Sequence, residues 1–224
     1  MLFALGQPAV FAGLLVAFLI GLLLRAVAIR VTARVVGLAP RGEPLAPRPR
    51  EDVDPFGAVA AALGGTGWGR TIDVDEIPRG HGRGRAAAVY AAGPVAALVA
   101  SQVVLGAFAL VFPAGEALAV GTPAMVLRGF GDDSLLAQFV LAVAVGLLAF
   151  GVLALIPLPP LDGFGLLWTA VRRPGPALQW MRLLFGDKNL GVALLLLFSL
   201  FPSGYPLLLV LIDAVGTPLM RIWS

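Results

Sequence analysis

The sequence predicts an all-α polytopic membrane protein: a helical bundle of about five spans with one short re-entrant segment and minor β structure. Three observations carry this reading. The chain is 59% hydrophobic and 13% charged, with a mean hydropathy of +0.93, which is more apolar surface than a soluble domain of 224 residues needs. Several apolar runs reach the length of a bilayer crossing. One of them ends in Leu155-Ile-Pro-Leu-Pro-Pro-Leu-Asp-Gly-Phe-Gly165, which sets three prolines and an acid where a membrane helix would otherwise continue. Each proline removes a backbone donor and clashes with the preceding turn. Broken backbone at membrane depth needs protein or water to receive its polar groups, and an acid there marks a site with a partner. Asp162 is therefore the first residue that demands an explanation.

The elements follow in order, and residues 1–224 read as one integral membrane domain. The first helix, 8–36, is apolar from Phe11 to Leu24, carries Arg25, Arg30 and Arg34 on its second half, and stops at Gly37. No cleaved signal peptide is expected, because Met1 to Leu24 has neither a basic start nor a small-residue cleavage site. Residues 38–52 are rich in Pro, Arg and Gly and read as an extended loop. The apolar stretch 55–63 is too short to span, hence re-entrant. A β-like alternation follows at Thr71-Ile-Asp-Val-Asp75, then a flexible basic loop, Gly80 to Arg85. Further membrane segments are expected at 86–112, 134–157, 189–201 and 207–222. A mostly neutral loop fills 113–133, residues 164–185 lie at the interface, and Pro202-Ser-Gly-Tyr-Pro206 turns a final hairpin.

Charge gives orientation and excludes other classes. With the N-terminus outside and 37–85 returning to the side it left, 15 of the 16 basic residues fall at the cytoplasmic side and only Arg128 outside. The C-terminus, with Arg221, is then cytoplasmic. This pattern accounts for the pI near 10.2 through topology, so no nucleic-acid partner is expected. Cysteine is absent, which excludes disulfides and thiolate metal sites. Arginine dominates over the single Lys188, a composition that points to a GC-rich genome and a bacterial inner membrane.

Four stretches then resemble, in order, one family. Asp54-Pro-Phe-Gly57 follows the arginine- and proline-rich loop, Gly67-Trp68 precedes the β-like run, Gly93-Pro94 lies within a span, and Pro157-Leu-Pro-Pro-Leu-Asp-Gly163 (with Pro159 and Pro160) closes the next. Together, over roughly residues 10–200, they resemble the compact bacterial site-2 proteases, intramembrane zinc metalloproteases. The resemblance implies an H-E-x-x-H on the first helix, two zinc-binding histidines around a glutamate that activates water, with the aspartate of Leu-Asp-Gly, here Asp162, as third ligand. Here that slot reads Arg25-Ala-Val-Ala-Ile29. Neither histidine nor the glutamate is present, and the family's substrate-holding asparagines fall on Ala97 and Ala154. The chain's one histidine, His81, is far from that helix in sequence.

The expectation is thus a catalytically degenerate homologue that binds or scaffolds a membrane protein or transmembrane helix, with lipids around it and no cofactor. Arg25 and Asp162 pair in place of the metal, or Arg25 snorkels to the interface while Asp162 caps the following segment. The alternatives are an active metalloprotease with an atypical zinc site, and a small transporter or channel component using Arg25, Asp162 and Asp213. Asp213 is either a proton-relay or ion-site acid, or a structural group facing Arg25 or another subunit. His81 reads as a metal or phosphate ligand, or as a solvated loop residue. The glycines from Gly65 to Gly69 lack the Lys and Ser/Thr of a phosphate loop. Arg79, Arg83 and Arg85 set topology and meet anionic headgroups, and Trp168, Trp180 and Trp223 read as interfacial anchors.

Overall fold

The computed structural model describes residues 1–39, 42, 44–77, 82–112, 115–130, 134–200 and 206–224. It is mostly helical, 74%, and no strand is formed among the described residues. Among the described residues three helices are long and apolar enough to cross a membrane: α1 (Pro8–Val35), α4 (Arg83–Val111) and α7 (Leu135–Ala154). Between α1 and α4 lie α2 (Pro49–Asp52) and α3 (Pro55–Gly64), and between α4 and α7 lie α5 (Gly115–Val120) and α6 (Pro123–Leu127). After α7 come α8 (Asp162–Ala170), α9 (Pro176–Met181) with a π-helical turn over Arg182–Asp187, α10 (Leu190–Leu200) and α11 (Leu207–Met220).

Local chemistry explains the boundaries. Pro8, Pro55 and Pro123 occupy first turns, where a missing N–H costs nothing. Asp54, Thr122 and Ser134 cap α3, α6 and α7 with side-chain oxygens. At the end of α1, Gly37 adopts φ +75°, with Leu38 N–H bonded to Ala33 O and Gly37 N–H to Arg34 O, the paired bonds of a Schellman stop.

The core is α7 wrapped by α1 and α4. Small residues at four-residue spacing, Gly13, Ala17 and Gly21, set α1 against Phe139, Ala142, Gly146 and Phe150 of α7. A Cβ at Gly146 would stand 2.5 Å from that of Ala17, so the two backbones lie in direct contact. On the other flank Ser101 donates to Ala144 O at 2.8 Å. α1 and α7 run parallel and α4 antiparallel, since Gly151 meets Pro94 and Leu98.

Four expectations are corrected. The Thr71–Asp75 run forms no strand, because Asp73 caps a local turn: its side chain accepts from Asp75 N–H and its carbonyl from Glu76 N–H. The only β pairing among the described residues is an isolated bridge between Val53 and Gly69. The neutral loop over 113–133 contains two short helices, of which α6 packs against α7 and α11. α10 and α11, at about 16 and 21 Å, are each shorter than a bilayer core, so among the described residues three helices, not five, have the length of a span. Finally, Trp223 packs on Gly106 and its indole donates to Gln102 Oε1 at 2.9 Å. This places the C-terminal turn at the end of the bundle opposite Arg83, not on the arginine-rich side. The turn expected at Pro202–Pro206 lies, except for Pro206, outside the described residues.

Two outcomes are expected. Gly146→Leu forces α1 off α7 and costs about 1–3 kcal/mol, lowering the thermal midpoint in detergent, whereas Gly84→Leu, with open space around its α-carbon, leaves it unchanged. In sealed vesicles, Ser224→Cys and Gln7→Cys react with an impermeant maleimide from one face and Gly84→Cys from the other; the chain's lack of native cysteine makes the readout clean.

Candidate functional site

The site is built where α7 ends. Leu155 caps the helix, and Pro157, Pro159 and Pro160 prevent its continuation. The chain folds back instead: Leu161 N–H bonds Leu158 O, the Pro159–Pro160 peptide is cis, and Gly163 lies so close to the Leu155 and Ile156 carbonyls that a side chain there has no room. Asp162 thereby becomes the first residue of α8, its side chain turned to α1.

There it meets Arg25. Nε donates to Oδ2 at 2.7 Å and Nη2 to Oδ1 at 2.6 Å, with the two side chains 7% and 2% exposed. This is the fork-to-fork geometry that guanidinium and carboxylate favour. Arg25 therefore does not snorkel, and Asp162 makes no capping bond to its helix. The stem of Arg25 crosses α4 at Gly93, where a Cβ would stand 2.6 Å from Cγ. Trp68, Gly69, Phe150, Ala154 and Pro160 close over the pair.

The remaining motif residues support this arrangement. Asp54 Oδ1 caps α3 through Phe56 N–H at 2.8 Å, and Oδ2 accepts from Trp68 Nε1 at 2.9 Å. Gly57 and Gly67 bring α3 and the returning chain into backbone contact, each lacking room for a Cβ. Pro55 starts α3, and Pro94 sits inside α4 beside Gly151. Pro157 is solvent-facing and outside this cluster. Ala97 is buried in the apolar core, and Ala154 is buried beside the ion pair.

Two further ion pairs escaped sequence reasoning. Arg30 Nη2 contacts Asp52 Oδ1 at 2.5 Å, and Asp52 Oδ2 accepts from Arg48 N–H. Arg182 Nη2 reaches Asp75 Oδ2 at 2.5 Å and Asp73 Oδ1 at 3.4 Å while its guanidinium lies 5.7 Å from the Trp168 ring centre. The Asp75 hydrogen bond, against a desolvation that works the other way, holds Arg182 above its ordinary pKa. Trp168 is accordingly buried under Arg182 and beside Phe164, not an interfacial anchor. The signal for these pairs was the matching of arginines on α1 and the π-turn with the acids at 52 and 73–75. The pairing itself needed the fold.

Asp213 lies elsewhere. Its Oδ1 accepts from Ala124 N–H at 2.7 Å, at the N-terminus of α6. His81 and Arg79 lie outside the described residues, and Arg83 donates to Ala170 O.

Two clefts flank the segment Thr71–Glu76. The first, about 300 Å³, lies against α1 and is lined by Arg25, Arg30, Asp52, Arg70 and Glu76 among others. The second, about 340 Å³, lies against Pro159, Pro160, Phe164 and Asp187. The donors do not fit zinc. Both oxygens of Asp162 are held by a permanent cation, the slots at 25, 26 and 29 carry Arg, Ala and Ile, and no group of three metal-ligating side chains converges among the described residues. In comparisons with known proteins, no family model, curated protein or solved structure matches this chain.

Breaking the pair leaves a buried charge alone, so Asp162→Ala is expected to cost about 3–5 kcal/mol, whereas Arg25→Met with Asp162→Leu recovers most of it. Chemical or thermal denaturation in detergent measures both. Asp213→Ala removes one cap and costs only about 1 kcal/mol.

Proposed function

We propose that this protein is a catalytically degenerate relative of the site-2 proteases that holds a membrane protein partner without cutting it. One observation carries the reading: a bidentate Arg25–Asp162 pair occupies the positions that the resemblance assigns to the first and third zinc ligands. A guanidinium cannot activate water as a metal does, yet it reproduces the metal's mechanical role, tying α1 to the chain that leaves α7. The arrangement of Asp54, Gly57, Gly67, Trp68 and Gly93 around the pair supports the same ancestry, with its scaffold kept and its chemistry removed.

In this reading α3 and the chain returning through Trp68 form a re-entrant element, and the arginine-rich end faces the cytoplasm of a bacterial cell. A partner's extended or unwound segment lies in the second cleft, between Thr71–Glu76 and the Pro159–Pro160 turn. That cleft carries Asp73 and Glu76 on one wall and Asp187 on the other, with Arg182 also in its lining.

The test has two arms. A photo-crosslinking residue at Ile72 or Asn189, on the cleft wall, is expected to trap a membrane protein in native membranes, while one at Val99, on the outward face of α4, traps none. Elemental mass spectrometry of protein purified without chelator is expected to find far less than one zinc per chain. Stoichiometric zinc lost on Asp162→Ala, with cleavage of a membrane substrate, returns the protease reading.

A further inference from the structure

The first cleft carries an inference that does not depend on the proposed ancestry. Arg25 uses Nε and Nη2 on Asp162, and among the described residues its third nitrogen, Nη1, has no acceptor. Nη1 points past Gly69, where a Cβ would stand 3.1 Å away, and the residue lines the cleft. Arg30 repeats the pattern on the next turn of α1: Nη2 is on Asp52, and Nη1 is buried with no hydrogen-bond partner. Leaving such a donor dry costs about 1–3 kcal/mol. Arg70 stands exposed at the rim and makes no ion pair among the described residues.

The acids of the cleft are mostly engaged. Asp52 is held by Arg30 and by the Arg48 backbone, and Glu51 pairs with Arg48 at 2.9 Å. Only Glu76, exposed on the opposite rim, faces the space without an ion pair among the described residues. The lining therefore holds two neighbouring arginines, each with one nitrogen that has no acceptor among the described residues, that of Arg30 covered, beside a space of about 300 Å³.

Depth narrows the acceptor. From Pro8 to Leu24, α1 is uninterrupted by charge, about 26 Å of helix, so Arg25 and Arg30 arrive where a hydrocarbon core of about 30 Å ends. Lipid phosphates lie at that level. Arginine forks bind phosphate oxygens through paired, charge-assisted hydrogen bonds.

We propose that this cleft is a phosphate-binding site, seating the phosphate of an anionic lipid headgroup or a free phosphate ion on Arg25 Nη1 and Arg30 Nη1, with Arg70 at the mouth. A modest rotation of the Arg30 side chain brings its covered nitrogen to the ligand.

The test titrates detergent-purified protein with dioctanoyl phosphatidylglycerol, dioctanoyl phosphatidylcholine and inorganic phosphate, reading binding by calorimetry and by thermal shift. Saturable binding of one phosphatidylglycerol per chain is expected, weakened about tenfold by Arg30→Gln and about threefold by Arg70→Gln, as loss of a charged hydrogen bond and of a rim charge dictate. Because Arg30→Gln also breaks the Asp52 pair, Ala33→Asp serves beside it. Ala33 lines the same cleft one turn beyond Arg30, and a carboxylate there competes with phosphate for the free donors while every ion-pairing side chain is retained. Lipid binding without phosphate binding identifies the headgroup as ligand, and phosphate binding without lipid binding identifies the free ion. Binding of phosphatidylcholine equal to phosphatidylglycerol, no saturable binding of any probe, or binding that Arg30→Gln and Ala33→Asp leave unchanged overturns the proposal.

Discussion

A single desolvated ion pair constrains most of this structure. Neither Arg25 nor Asp162 is tolerable alone in surroundings this apolar, and the attraction between them offsets their desolvation only if the geometry is close to ideal. That requirement reaches outward. It fixes how far the chain travels after α7 before α8 begins, and it demands a bare α-carbon at Gly93 for the arginine stem to pass. It also calls for Trp68 and Pro160 as a lid against water. Asp54 reaches the pair at one remove, by fixing the indole that covers it. Residues scattered over more than a hundred positions thus share one purpose, which is why they read as motifs.

The long helices and their boundaries were legible in the sequence because apolar length, proline, capping oxygens and Gly37 act locally. The Arg25–Asp162 encounter was open between pairing and two separate interfacial roles, since sequence shows that a charge needs a partner without showing which one is near. Arg30–Asp52 and Arg182–Asp75 went unread for the same reason. The Thr71–Asp75 alternation misled because period two describes a strand only when another strand is there to pair with it; here Asp73 satisfied the backbone locally. Trp168 looked like an anchor by type and proved to be the floor under Arg182.

The segment from Gly69 to Glu76 is the least supported part of the site and the most exposed to use. It has no sheet to belong to, and it is held by a bridge at Gly69, by the Tyr90 hydroxyl on the Asp73 carbonyl, and by Arg182. It lines two clefts: one carries Arg25, Arg30 and Arg70 together with Glu51, Asp52 and Glu76, the other prolines, an aromatic ring, acids and Arg182.

The seat of Trp223 on Gly106 has a consequence of parity. Pro8 and the C-terminal turn lie at one end of the bundle, so the chain must traverse it an even number of times. α1, α4 and α7 make three passages, an odd count that leaves the chain at the Arg25 end. The return to the Pro8 end falls to the chain after α7, where α10 and α11 are each too short to cross alone.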